Sequence, residues 1–307
     1  MYERVVFLGS KSAGLRLLER LHFVNPERLV GAITLDDGAD ARSALDHLRQ
    51  FTTEKRIPLH VARNRTHSEA LLSELRPDLV FVLGWYWLLT KGTLDSVPGG
   101  FIGVHFSPLP KYRGTSPVVW QIINGENHIG LSVFSMTEGL DEGPLWLQAA
   151  IPLMETDYVA DVLAKLEAET VQLISDLYPR ISTGTSRPQP QDAGPPTYCA
   201  ARLPSDGEIN WSSPARSVYN FIRAQSSPYP GAFTWLGEEK LPIWKASLFR
   251  EQYYGTPGQI AAISSAGVIV VCGDHHAVIL HTVGANAQAQ EVLHSVKLRF
   301  PQHPVSR

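Results

Sequence analysis

His105 and Asp141 are the residues whose types and placement could support catalysis. A short apolar run ends at His105, and Asp141 lies in the glycine-flanked run GLDEG at 139–143, which follows a later predicted strand. We expect the two residues at successive strand ends of one sheet, a few ångströms apart. At that distance the carboxylate fixes the imidazole tautomer and raises its basicity, or takes a proton through water. A surface loop with a histidine at its edge is the alternative interpretation.

The chain contains no motif for serine-nucleophile or zinc catalysis. The sequence has no G-x-S-x-G element for a serine nucleophile and no H-E-x-x-H element for zinc. Its two cysteines, Cys199 and Cys272, lack the spacing of metal ligands and are too few for a disulfide framework, which predicts a reducing cytoplasm. The pattern therefore indicates a general acid–base enzyme without a bound metal.

The elements that must position this chemistry are a series of apolar runs separated by predicted helices. The runs that we interpret as strands are 4–9, 29–34, 57–61 and 79–84. Such a βα alternation predicts a mostly parallel sheet with helices on both faces, and ligands of these sheets bind beyond the carboxyl ends of the strands. The aromatic run GWYW at 84–87 lies at one such end. It either packs the sheet edge or lines a slot for a flat heteroaromatic ligand.

The turn after the first strand is a candidate anion site. Ser10, Lys11 and Ser12 precede a predicted helix, whose first backbone N–H groups can bind an anion. A capped helix with an exposed lysine is the alternative. The same turn has only Gly9 and Gly14 where a dinucleotide site needs G-x-G-x-x-G, so a nicotinamide dehydrogenase is the weakest interpretation.

Length and composition favour two domains. For the chain of 307 residues we predict a catalytic domain at 1–180, a linker rich in Pro, Gly, Ser and Thr at 181–205, and a small barrel-like domain at 206–307. No apolar run reaches the length of a membrane span, and the N-terminal run is too short for a signal peptide. A net charge of −3 argues against a nucleic-acid partner. We expect a cytoplasmic protein.

Two segments resemble, in the same order along the chain, motifs of the folate-dependent formyltransferases. This is the family of methionyl-tRNA formyltransferase, glycinamide ribonucleotide formyltransferase and the sugar N-formyltransferases. Residues 103–114 read GVHFSPLPKYRG, similar to the family run N-V-H-x-S-L-L-P-K-Y-R-G. Residues 136–143 read MTEGLDEG, similar to M-x-x-G-x-D-x-G. Looser similarity covers most of the chain. The resemblance implies an α/β fold, with a Rossmann-like, mostly parallel formyltransferase domain followed by a small β-barrel-like (OB-like) C-terminal domain.

The resemblance also implies an activity, the transfer of formyl from 10-formyltetrahydrofolate to a primary amine without a metal. Asp141 would relay the proton of the amine away, and His105 would position or stabilise the oxyanion. The pterin would lie against the segment after the fourth strand and the loop that carries Asp141. The residues implied are Tyr86, Trp87, Leu88, Leu89, Glu138, Leu140 and Asp141.

One position departs from the family pattern. The catalytic asparagine of the family corresponds here to Gly103, and loss of a side-chain oxyanion donor costs on the order of 10²–10³ in rate in hydrolases. A neighbour such as Ser107, Asn124 or a backbone N–H would then supply the donor, or a protonated His105 would act alone. A folate- or sugar-binding relative with impaired catalysis is the remaining alternative.

The acceptor is inferred from the segment after the second strand. The tRNA-acting branch carries a basic insertion there, whereas this chain reads LDDGAD at 35–40, an acidic turn that would repel phosphates. The run at 84–87 also resembles the sugar enzymes, so we expect an amino sugar, nucleotide-linked, or another small amine as the acceptor. The residues assigned to it are Ser10, Lys11, Ser107, Lys111 and Arg113.

Other functions and partners follow from the resemblance together with the composition and charge of the chain. Methionyl-tRNA formylation is the nearest alternative, and hydrolysis of formyl-folate is another. The expected partners are a folate and a small-molecule amine, with no nucleic acid and no membrane, and a homodimer is left open.

Overall fold

The βα alternation of the first part of the chain builds one seven-stranded sheet. The protein is described by a computed structural model that covers residues 2–192 and 194–302. The strands of this part, in chain order, are β1 (Val5–Gly9), β2 (Leu29–Leu35), β3 (Leu59–Ala62), β4 (Leu79–Leu83), β5 (Phe101–His105), β6 (Arg113–Gly114), β7 (His128–Ser135), β8 (Leu145–Pro152) and β9 (Tyr198–Cys199). The sheet has the order β3-β2-β1-β4-β5-β7-β8, and β6 and β9 pair separately.

The first five strands of the sheet are parallel, as predicted, and the predicted Rossmann-like class is confirmed. Every residue of β1, β4 and β5 is buried, which explains why these strands read as continuous apolar runs. The helices that connect the strands along the chain are α1 (Lys11–Val24), α2 (Leu45–Lys55), α3 (Arg65–Leu75), α4 (Lys91–Asp95), α5 (Pro117–Ile123) and α6 (Val159–Ser182). Because β4 and β5 are parallel neighbours, Gly84 and His105 come at the same edge of the sheet.

The last two strands reverse direction. β7 runs antiparallel to β5 with Ile102 opposite Ser135 and His105 opposite Ser132, and β8 runs antiparallel to β7. The carboxyl end of β7 is therefore at the opposite edge from His105. This corrects the expectation that His105 and Asp141 follow successive strand ends at one edge. The loop at 136–144 instead turns back along β5 and carries Asp141 to the histidine.

Antiparallel pairing dominates the last third of the chain. Its elements are α7 (Ala215–Gln225), β10 (Ala232–Leu236), β11 (Glu239–Leu248), β12 (Ile260–Ser264), β13 (Gly267–Val271), β14 (Ala277–Val283), β15 (Ala287–Gln288) and α8 (Ala289–Val292). The sheet has the order β10-β11-β14-β13-β12, and β15 adds to β14. Its core includes the fully buried Trp211, which stacks on Phe300. A C-terminal β domain after an α/β domain is thus confirmed, although the sequence did not predict β12.

The described residues fall into two compact units. The first comprises the described residues as far as Pro117, with His128–Pro152 and Leu163–Cys199. The second comprises Val118–Asn127, Leu153–Val162 and the described residues from Ala200 onward. The division at 180 and 206 stays a prediction. Among the residues that the structure describes, no helix is both long and apolar enough to cross a membrane.

Candidate active site

The loop after β5 is held by buried hydroxyl groups. Ser107 Oγ donates to the carbonyl oxygen of Lys111 at 2.8 Å, and Ser132 Oγ donates to the carbonyl oxygen of Ser107 at 2.7 Å. The backbone N–H of Leu109 donates to Ser132 Oγ at 3.2 Å. Both serines are fully buried, where unpaired polar groups are costly, so these bonds fix the loop. The assignment of Ser107 to the substrate stays a prediction.

His105 presents a single ring nitrogen to the site. Its Nε2 lies 2.8 Å from the carbonyl oxygen of Tyr112, and because a carbonyl only accepts, Nε2 carries the hydrogen. In the neutral ring Nδ1 is therefore the free base, and it lies 3.7 Å from Oδ2 of Asp141. The imidazole is about nine-tenths buried. The geometry thus provides a proton acceptor with a carboxylate beside it, which balances the charge when the ring takes up a proton.

Asp141 is held through both its side chain and its backbone. Its Oδ2 accepts the backbone N–H of Gly114 at 2.7 Å. Its φ of +50° lies in the left-handed region, which aspartate and asparagine tolerate better than most side chains. The side-chain amide of Gln191 donates to the carbonyl oxygens of Asp141 and Gly143 at 2.7 and 2.9 Å. These three bonds determine where the carboxylate points.

Phe134 fills the space beside Gly103. The two residues lie opposite each other in the β5–β7 pair, and a Cβ at position 103 would lie 2.8 Å from Cε1 of Phe134. The Phe134 ring also meets the ring of His105 edge to face, with 6.5 Å between their centroids. An aromatic ring therefore lies where the resemblance implies a polar asparagine side chain.

The segment after β4 divides into exposed and packed side chains. Tyr86 and Leu88 are 55% and 67% exposed, and Leu140 of the 136–144 loop is 43% exposed. Trp85 and Trp87 contact each other edge to face and pack against the core of the sheet, and Leu89 is buried. Exposed apolar side chains at the carboxyl edge of a parallel sheet suit a flat, partly apolar ligand. The role of these residues, and of the exposed Glu138, in binding the pterin stays a prediction.

Lys11 lies in an ion-pair network with the acidic turn. Its Nζ lies 2.6 Å from Asp37 and 2.8 Å from Asp40, and 5.6 Å from the centre of the Tyr86 ring. Burial works to lower the pKa of Lys11, but the bonds to both carboxylates outweigh it and the pKa is raised. The hydrogen bond from Arg42 is the largest cause of the lowered pKa of Asp40. Lys11 and the acidic turn at 35–40 therefore neutralise each other. This weakens the anion binding expected of Lys11 and the phosphate repulsion expected of the turn.

The other predicted acceptor residues lie in different surroundings. Ser10 is buried, and its hydroxyl donates to the carbonyl oxygen of Gly84. Lys111 is exposed. The guanidinium of Arg113 donates to Oε1 of Gln191 at 2.7 Å. The structure thus brings Arg113 into the network of Asp141, whereas Lys11 belongs to the network beside Tyr86.

Sequence reasoning missed two residues of this site. Gln191 falls in the proline-rich stretch predicted to be a linker, and Phe134 is one of several apolar residues in a strand. The register of β5 against β7 would have revealed Phe134, but no periodicity signal marks Gln191. Within 2–192 and 194–302, no group of three or more His, Cys, Asp and Glu is arranged to hold a metal ion.

Comparisons with known proteins agree with this architecture. Residues 4–177 match the family described as formyl transferase, and residues 203–295 match the formyl transferase C-terminal domain. The methionyl-tRNA formyltransferase of Trichlorobacter lovleyi is 30% identical over 287 residues, which are 92% of this chain and 89% of that protein.

Two solved structures show a similar fold at low sequence identity. The first is the N-formyltransferase from Helicobacter canadensis in complex with folinic acid and dTDP-3-aminofucose, with a TM-score of 0.71, 19% identity, and coverage of 91% of this chain and 99% of that one. The second is HypX from Aquifex aeolicus in complex with tetrahydrofolic acid, with a TM-score of 0.65, 17% identity, and coverage of 94% of this chain. The chain spans about half the length of HypX, 46%.

Proposed function

The chain belongs to the formyl transferase family and is a transferase that uses formyl-tetrahydrofolate, and we propose that its acceptor is the primary amine of an amino sugar, nucleotide-linked. The observation that carries the chemistry is the pair of His105 Nδ1 and Asp141 Oδ2, 3.7 Å apart at the carboxyl edge of the sheet. Folate fits there because Tyr86, Leu88 and Leu140 offer exposed apolar surface.

The geometry supports a role for His105 as the proton carrier. Formyl-tetrahydrofolate supplies a formyl carbon bonded to a folate nitrogen. The acceptor nitrogen forms a bond to that carbon, and the bond between the carbon and the folate nitrogen breaks. Nδ1 of His105 takes the proton that the acceptor amine loses, because Nε2 already carries a hydrogen, which it donates to the carbonyl oxygen of Tyr112. Asp141 balances the charge of the imidazolium, and His105 returns the proton to the departing folate nitrogen. This differs from the expectation that Asp141 itself relays the proton.

The charge of the segment after β2 supports a small acceptor. Asp36, Asp37 and Asp40 lie there with Lys11 and Arg42. Three carboxylates against two cations leave no excess positive charge for the phosphates of a tRNA acceptor stem. The fold likeness to an enzyme crystallised with dTDP-3-aminofucose is consistent with an amino-sugar acceptor.

Methionyl-tRNA formylation is the second candidate. The observation that favours it is the 30% identity to a methionyl-tRNA formyltransferase along nearly the whole chain. That likeness supports a tRNA acceptor, whereas the segment beside Lys11 offers no excess positive charge to bind one.

One experiment separates these functions. The purified protein is incubated with 10-formyltetrahydrofolate and either nucleotide-linked amino sugars or charged initiator tRNA, and formylated products are identified by mass spectrometry. We expect product with an amino sugar and none with tRNA. Formylation of the tRNA alone, at a rate that falls steeply with salt, would establish the second candidate. Release of formate without any acceptor would indicate a hydrolase instead.

A further inference from the structure

We infer that the clasp segment, residues 191–192 and 194–199, positions the two catalytic side chains, and that Gln191 is the positioning residue for Asp141. The inference rests on the formyl transfer proposed at this site. It assigns a role in the reaction to a stretch whose composition is that of a linker.

Gln191 fastens the loop of Asp141 to the loop of Gly114. Its Nε2 donates to two carbonyl oxygens of the 136–144 loop, those of Asp141 and Gly143, at 2.7 and 2.9 Å. Its Oε1 accepts from the guanidinium of Arg113 at 2.7 Å, and the next residue, Gly114, gives its N–H to Oδ2 of Asp141. One side-chain amide therefore joins both loops that determine the position of the carboxylate.

Thr197 makes the matching connection on the side of the histidine. Its Oγ1 accepts the backbone N–H of Tyr112 at 2.8 Å, and its carbonyl oxygen accepts the N–H of Arg113 at 2.9 Å. Tyr112 has a φ of +59°, and its carbonyl oxygen accepts the Nε2 hydrogen of His105. The clasp segment thus supports the carbonyl that selects the tautomer of the catalytic ring.

Two substitutions at position 191 separate positioning from packing. Gln191→Met keeps the volume and loses all three hydrogen bonds, whereas Gln191→Glu keeps an acceptor for Arg113 and loses the donor to the two carbonyls. Because misplacing a catalytic group by about 1 Å can cost roughly 100-fold in rate, we expect kcat to fall by about 10- to 100-fold in both variants. KM for folate should change by less than about threefold in both variants, since Gln191 is not assigned to the folate. KM for the acceptor should change by less than about threefold in Gln191→Glu, which keeps an acceptor for Arg113.

Gln189 provides the matched control. It has the same side chain, is exposed, and pairs with Leu145 through its backbone at 2.6 and 2.7 Å. Gln189→Met should keep wild-type kcat. A Gln191→Met variant that folds and keeps wild-type kcat would overturn the inference, as would an equal loss of kcat in Gln189→Met.

Hydrogen exchange gives a second readout that needs no acceptor. The N–H of Gly114 should lose protection in Gln191→Met and keep it in Gln189→Met, because Asp141 is no longer held against it. Unchanged protection in a folded Gln191→Met would overturn the inference even if no amine is ever formylated. Conversely, lost protection in a protein that formylates no amino sugar would defeat the proposed acceptor and leave the positioning role intact.

Discussion

Introducing the family asparagine at position 103 tests how closely Gly103 and Phe134 are fitted to each other. A Cβ there would lie 2.8 Å from Cε1 of Phe134 and 3.2 Å from Cγ of Met136. Carbon atoms in good contact are roughly 3.5–4.0 Å apart, so the shorter contact is too close by about 0.7 Å. The Met136 side chain can move aside, but Phe134 is buried in β7. Overpacking of this kind costs about 1–3 kcal/mol.

We therefore expect Gly103→Ala and Gly103→Asn to lower the free energy of unfolding by about 1–3 kcal/mol each, and Gly103→Asn to bring no gain in kcat. Combining Gly103→Asn with Phe134→Leu should recover part of the loss, because leucine leaves room for the new side chain. A double-mutant cycle should give a favourable coupling of about 0.5–3 kcal/mol. Denaturant unfolding measures the free energies, and initial rates of formyl transfer measure kcat.

A stable and faster Gly103→Asn variant would contradict this expectation. A Gly103→Asn variant with the wild-type free energy of unfolding and a kcat raised on the order of 10²–10³ would show that Phe134 is no obstacle and that the natural site lacks its oxyanion donor. Gly103→Ala is the control, since it adds the Cβ without a polar group.

Three further outcomes test other parts of the molecule. Asp141→Asn should lower kcat by about 10²–10⁴ with folate affinity and Tm nearly unchanged, because asparagine keeps an oxygen for the Gly114 N–H; unaltered single-turnover rates would remove Asp141 from the reaction. Arg42→Gln should destabilise the protein more at pH 7 than at pH 3. The hydrogen bond from Arg42 lowers the pKa of Asp40 in the folded protein. The stability that results is fully present above the unfolded pKa of about 4 and is lost as the pH falls toward the folded pKa. An equal loss of unfolding free energy at both pH values, measured by urea unfolding, would contradict this. Burial raises the pKa of Cys272 to about 12, so iodoacetamide at pH 8 should label it only as fast as the domain unfolds, and prompt labelling of the native protein would disprove that.

The sequence predicted the strands of the first sheet well because burial on both faces leaves a strong apolar signal. It did not reveal the direction of β7, since the connection at 106–127 is long enough for a parallel crossover or an antiparallel return. His105 and Asp141 do lie close together, but the returning 136–144 loop brings them there. Their proximity was expected for a reason that the topology does not support.

The network around Gln191 could not be predicted from periodicity. Its segment is rich in proline and has no apolar pattern, so its order comes from hydrogen bonds to residues far away in sequence. The pairing of Arg113 with Tyr198 and the bridge from Leu145 to Gln189 are examples. The contact of Phe134 with Gly103 could not be predicted for a related reason, because it depends on the register of β5 against β7.

The late position of the clasp segment in the chain has a consequence for synthesis. All seven strands of the sheet are complete at Pro152, whereas Gln191 and Thr197 emerge only after α6. Thr197 reaches back across 85 residues to Tyr112, and Gln191 reaches back across 50 to Asp141. Since each doubling of loop length costs only about 0.6 kcal/mol, such long returns add little to the cost of folding. A nascent chain can therefore form its sheet first, and the bonds from Gln191 and Thr197 to the loops beside Asp141 and His105 form only near the end of the first unit.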